Sequence, residues 1–232
     1  MRLLSVSLGA ADLDALRAFY AGALGMRIVE DSDEVLALRA GWSMLRFERV
    51  EKAPPAAHFA FNIPPDSMDR AQAWLGARAE LLREEGATRF EFASWDAEAI
   101  YAMDPAGNVI ELIARRRLRD RLGGGAFDAS CLLCVSEIGI VTEDPPRAAR
   151  GLCDAFGLSI FSAADADFAT VGDDEGLFIV VPPGRAWKPT EDVMSLPAPA
   201  RIVIEAGAGR EWSVGPSIVR SERPGEGGRR TA

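Results

Sequence analysis

The chain repeats itself, and that repetition restricts the folds open to it more than any other feature. Ser5-Val6-Ser7-Leu8-Gly9-Ala10-Ala11-Asp12 leads into an amphipathic segment ending Ala23-Leu24-Gly25. Shifted by 132 positions, Glu137-Ile138-Gly139-Ile140-Val141-Thr142-Glu143-Asp144 leads into another, ending Ala155-Phe156-Gly157. Both read as a strand, a polar turn with an aspartate cap, a helix and a glycine stop. A further echo, at a shift of 143, relates Ala53-Pro54-Pro55-Ala56-Ala57-His58-Phe59 to Leu196-Pro197-Ala198-Pro199-Ala200-Arg201-Ile202. The chain is therefore built from related units.

Hydrophobic alternation and turn signals fill in each unit. Unit one has a strand at 3–9, a helix at 12–23 and strands near 26–31, 34–39 and 43–49. Unit two has a strand at 57–63, a helix at 66–79 and strands near 80–85, 89–94, 98–103 and 108–114. Residues 116–130, with Gly123-Gly124-Gly125, read as an interdomain linker. Unit three has a strand at 134–141, a helix at 145–155 and strands near 158–163, 166–171 and 176–182. The 31 residues after Arg201 are too few for a full fourth unit. Residues 131–221 thus read as a third module plus a truncated fourth, and the Gly-, Arg- and Glu-rich 222–232 as a disordered tail. The fold class is α+β.

Charge narrows the function. The formal net charge is −9 over 232 residues, and the basic cluster is Arg115-Arg116-Arg117 with Arg119 and Arg121. It reads as a solvated linker, which leaves no nucleic-acid surface. No apolar run reaches membrane-spanning length and no signal-peptide core opens the chain, so a soluble cytoplasmic protein is expected. Three cysteines fit a reducing compartment, and Cys131 and Cys134 read as buried thiols. Asp173, Asp174 and Glu175 read as a solvated hairpin turn.

Two polar residues sit on strands that must bury their opposite faces. In Asp104-Pro105-Ala106-Gly107-Asn108-Val109-Ile110-Glu111-Leu112, a turn feeds a β-branched strand carrying Glu111 on the face opposite Ile110 and Leu112. In Ala57-His58-Phe59-Ala60-Phe61-Asn62-Ile63, the sole histidine shares a face with Ala60 and Asn62. A buried carboxylate needs a cation, a donor network or water, and His58 is its natural partner.

A strand-helix-three-strand unit, a histidine opening the second unit and D-P-x-G-N-x-x-E-L closing it resemble the vicinal oxygen chelate superfamily. That superfamily groups glyoxalase I, extradiol dioxygenases, fosfomycin-resistance thiol transferases and bleomycin-binding proteins. The resemblance implies paired βαβββ modules, curled mixed sheets forming a cup around a small organic ligand, and often a divalent metal at its base. The short Pro54-Pro55 link favours pairing units one and two, making residues 1–115 the cup. The long linker also permits unit three to pair with unit two.

Carried over residue by residue, the resemblance puts His58 and Glu111 at ligand positions of unit two, Ser5 and Arg46 at those of unit one, and Glu137 and Arg201 at those of units three and four. One histidine in the chain rules out an iron site of two histidines and a carboxylate. The leading expectation is a cup binding a small molecule at a degenerate metal site, with Arg46, His58 and Glu111 as polar contacts, Ser5 beside them, and Tyr101 and Trp42 stacking on the ligand. Trp95 and Trp187 are further aromatic candidates. An alternative is a divalent-metal-dependent lyase, isomerase or dioxygenase in which Glu137 or a partner subunit completes His58 and Glu111. A third makes the second half a scaffold or homodimerisation element.

Overall fold

The computed structural model describes residues 1–207 and 209–223. Unit one supplies β1 (Arg2–Ala10), α1 (Leu13–Arg17) running into a π-helical turn at Ala18–Ala23, β2 (Arg27–Asp31), β3 (Val35–Ala40) and β4 (Ser43–Arg49). Unit two supplies β5 (His58–Ile63), α2 (Met68–Gly76), β6 (Phe90–Phe92), β7 (Ala97–Met103) and β8 (Val109–Arg115). Unit three supplies β9 (Cys134–Val141), α3 (Pro145–Phe156), β10 (Ile160–Ala164), β11 (Ala169–Asp173) and β12 (Gly176–Val181). The truncated fourth has only β13 (Ala200–Glu205), β14 (Glu211–Val214) and β15 (Ser217–Glu222). Of the tail expected at 222–232, Glu222 closes β15 and the residues from Pro224 lie outside the described residues.

The helix boundaries have local causes. Asp12 accepts a hydrogen bond from Ala15 N at 2.9 Å, and Asp144 one from Arg147 N at 3.0 Å, each satisfying a first-turn donor. Gly157 ends α3 at φ 69°, where a side chain would be strained. The strand expected at 80–85 does not form. Leu81 makes one isolated bridge to Ala102, and the charged run Arg83-Glu84-Glu85 turns away through Glu85 and Gly86 at positive φ.

Two mixed sheets result. One has seven strands in the order β14-β15-β13-β1-β4-β3-β2, the other eight in the order β10-β11-β12-β9-β5-β8-β7-β6. Within each unit the first strand lies parallel to the last, and units join antiparallel through their first strands. Unit two therefore pairs with unit three, and unit one with the truncated fourth. The cup expected within residues 1–115 is not formed. Pro54 and Pro55 have no N–H to extend a ladder, so the chain leaves the first sheet there. The linker at 116–130 then carries it from β8 past β5 to lay β9 on the open edge of β5.

The main core lies between the sheets and helices, with Leu3, Val6, Leu16, Phe47, Phe59, Phe61, Leu152 and Ile202 buried together. The fourth unit, lacking a helix, leans on α3: Trp212 packs so close to Gly151 that a Cβ there would come within 2.2 Å of the indole. A second apolar cluster, including Ala60, Tyr101, Val109, Ile179 and Trp187, occupies the opposite face of the eight-stranded sheet. Among the described residues no helix is long and apolar enough to cross a membrane.

Candidate functional site

The site is built on that second face, and the turn before β8 sets its register. Asp104 Oδ1 accepts from Ala106 N and Asn108 N, both at 2.9 Å, while Oδ2 accepts from Asn108 Nδ2 and the Tyr20 hydroxyl, both at 2.8 Å. Asn108 Oδ1 in turn accepts from Ala57 N at 2.8 Å, pinning β8 to the start of β5. Gly107 completes the turn at φ 82°. With this register fixed, Glu111 stands directly between Ala60 on β5 and Tyr101 on β7. Antiparallel pairing of β5 and β9 sets Glu137 opposite Ala60 from the other side.

His58, Glu111 and Glu137 thereby converge, although they come from two units. His58 Nε2 lies 3.4 Å from Glu111 Oε2 and 3.9 Å from Glu137 Oε2. One ligand atom from each of the three lies within 4.8 Å of the others, and all three side chains are buried. His58 Nδ1 is 3.2 Å from the Val109 carbonyl, which can only accept, so Nδ1 carries a proton and donates. Nε2 is left facing the carboxylates. Burial works against a charged imidazole, but the hydrogen bonds and charges of Glu111 and Glu137 outweigh it and lift His58 to about 9. Burial, then the charge of Glu137, pushes the Glu111 carboxyl up. Burial and the Glu111 charge raise the Tyr101 phenol well above its ordinary value.

Arg115 lies beneath this group and is fully buried. Its Nη2 donates to Glu137 Oε1, and its guanidinium carbon sits 5.5 Å from the Trp95 ring and 5.7 Å from the Phe161 ring. Nη1 is 3.6 Å from Asp174 Oδ1, so Asp174 is drawn in from the hairpin turn in which it was expected to be solvated. Arg115 was expected in a solvated linker. The signal that would have found it is spacing: it ends β8 four residues after Glu111, on the same strand face.

Arg46 is not part of the site. It lies on β4 in the other sheet, with Nη1 2.5 Å from Glu30 and Nε 3.3 Å from Glu48, so its expected contact with Glu111 does not form. Its strand position is nonetheless equivalent, because Ser7 pairs with Arg46 as Ala60 pairs with Glu111. By the same register Ser5, Arg201 and Arg220 match His58, Glu137 and Ile179. A hydroxyl and three guanidinium groups thus stand where the other cup has an imidazole, two carboxylates and an isoleucine. Ser5 is half-buried on that remote sheet. Trp42 is also remote, on the β3–β4 turn with the Arg2 guanidinium 4.6 Å from its ring. Tyr101, Trp95 and Trp187 do line the cavity above His58. Cys131, Cys134 and Cys153 are free thiols.

Residues 5–113 match the model of the glyoxalase-like domain family. Among solved structures, a Bacillus subtilis subsp. subtilis str. 168 protein with a provisional dioxygenase assignment is similar at TM-score 0.62 and 14% identity, covering 97% of this chain and 86% of its own. A glyoxalase I variant from Zea mays is similar at TM-score 0.59 and 14% identity, covering 95% and 93%. Glyoxalase I from Zea mays itself has TM-score 0.54 and 17% identity, covering 87% and 74%. No match was found among curated proteins. In its family-model match and its two curled sheets, the chain resembles the vicinal oxygen chelate superfamily, with the glyoxalase-like fold.

Proposed function

We propose that this protein is a divalent-metal-dependent enzyme acting on a small oxygen-bearing organic molecule, with His58, Glu111 and Glu137 as the metal ligands. The observation that supports it is the convergence of three buried ligand atoms within 4.8 Å, drawn from the paired second and third units. The donor set fits. An imidazole nitrogen and two carboxylate oxygens suit a borderline or hard divalent ion such as manganese, iron, nickel or zinc, and three side chains leave positions for water or ligand. The hydrogen bond from His58 Nδ1 to the Val109 carbonyl presents Nε2 as a lone-pair donor, as in most metal-binding histidines.

A divalent ion bound there would polarise a substrate oxygen as a Lewis acid and so acidify a neighbouring C–H or O–H. The residues then divide the remaining work. Arg115 holds Glu137 in one orientation through Oε1, leaving Oε2 toward His58. Glu111 has no guanidinium against it and is the freer carboxylate to exchange a proton with a bound molecule. The apolar walls keep water from the reacting atoms. This reading favours an isomerase- or lyase-type proton transfer.

A second reading, ligand sequestration without metal, draws on the same group: an imidazolium at His58, lifted to about 9, compensates Glu111 while Arg115 pairs with Glu137. Metal analysis of purified protein separates the two. About one divalent ion per chain is expected, lost in His58→Ala and retained in Arg46→Ala. No bound metal after loading with manganese, iron, nickel or zinc would sink the enzyme reading.

A further inference from the structure

The cavity above His58 has a volume of about 280 Å³, below the roughly 300–1,000 Å³ of most small-molecule sites. Its roof is the strap between β12 and β13. That segment folds back on itself, with Trp187 N donating to Val193 O at 2.9 Å and Ser195 N to Arg185 O at 2.7 Å. Trp187 is thereby laid over Gly139, where a Cβ would come within 2.6 Å of its ring, and its ring centroid is 5.4 Å from that of His58. One wall is a run of near-parallel rings: Phe92 and Trp95 lie at 26° and 5.8 Å, Trp95 and Phe168 at 22° and 6.3 Å. Ile179 and Val181 face them. Between floor and rim a ligand meets carbon and flat π faces, which favour a ring.

At the rim, the Arg185 guanidinium lies 5.1 Å over the Phe168 ring and donates to the Asp167 carbonyl, but among the described residues it has no carboxylate within ion-pair distance. Lys188 beside it is neutralised by Glu84 at 2.8 Å. The cavity therefore offers one cation without an ion-pair partner and space for a single substituted ring.

We propose that the site takes a compact aromatic monocarboxylate, its ring between the Trp95 wall and Trp187, its carboxylate at Arg185 and an oxygen directed to the floor. A peptidic thiol adduct, bulkier and carrying several charged groups, does not match these features. The oxygen contact at the floor rests on the metal reading above; the ring and rim contacts do not.

Calorimetric titration of the full chain with salicylate, benzoate, benzyl alcohol and S-hexylglutathione tests this. The two acids are expected to bind at least about tenfold more tightly than the alcohol and the glutathione conjugate. Arg185→Gln is expected to weaken the acids about tenfold and leave the alcohol unchanged, as loss of one charge-assisted hydrogen bond predicts. Lys188→Gln is expected to leave the acids within about twofold. Tighter binding of S-hexylglutathione than of either acid, or acid affinity unmoved by Arg185→Gln, overturns the proposal. Titrations on metal-loaded and chelator-treated protein keep the two readings apart. Failure of the metal reading appears as equal affinities in both forms, with the Arg185 effect intact.

Discussion

At Arg115 a guanidinium with no exposure to water leans on Glu137 between two aromatic rings, with Nε and Nη1 making no hydrogen bond. A buried ion pair of this kind adds little net stability over an apolar isostere, but breaking it from one side strands a charge. Arg115→Met is therefore expected to cost about 3–5 kcal/mol in urea unfolding of metal-stripped protein, and Arg115→Met with Glu137→Met to cost less than the single change. A single-mutant cost below about 1 kcal/mol would show that Glu137 is not the buried partner described. The sequence places Arg115 in a run of three arginines and gives no local sign that its neighbours are exposed while it is not. Arg116 and Arg117 point outward and pair with Glu91 and Asp174. Strand parity separates them once the end of β8 is known.

Among the elements, the strap at residues 182–195 carries the site's roof without regular secondary structure. Its position depends on Gly139 in β9, because only a missing side chain lets Trp187 lie flat against the sheet. Gly139→Ala is expected to displace the indole, cost about 1–3 kcal/mol by overpacking, and red-shift the tryptophan emission as Trp187 meets water. Unchanged emission and stability would mean that Trp187 does not rest on Gly139. The strand-helix pattern and its caps are local, and so they were legible: Asp12, Asp144, Gly25 and Gly157 act through residues within one turn. The expected strand at 80–85 failed because its alternation was weak and its pairing to β7 stops after the Leu81 bridge and one hydrogen bond from Leu82 N to the Tyr101 carbonyl.

For the whole molecule, the pairing of units decides which residues meet. Pairing of units one and four brings Ser5, Arg46, Arg201 and Arg220 onto one sheet face, the last two exposed; pairing of units two and three buries His58, Glu111, Glu137 and Ile179 together. The first two units alone would leave the pairing edges of β1 and β5 bare and lack Glu137. The isolated segment 1–115 is thus expected to aggregate or self-associate in size-exclusion chromatography and to hold no stoichiometric metal. A monomeric, metal-binding 1–115 segment would contradict the observed pairing.

The sequence by itself determined the unit, its repetition, the α+β class, the turn that places Glu111 and the face that carries His58. All of these follow from periodicity, capping and turn chemistry acting over a few residues. Only the tertiary structure decided that Glu137, and not Arg46, faces Glu111. Ser5 and Arg46 occupy positions equivalent to His58 and Glu111, so register alone marks both sets as candidates. Which first strand adds to the open edge of β5 depends on linker reach and on the burial of whole faces, and neither is written in any short stretch of residues.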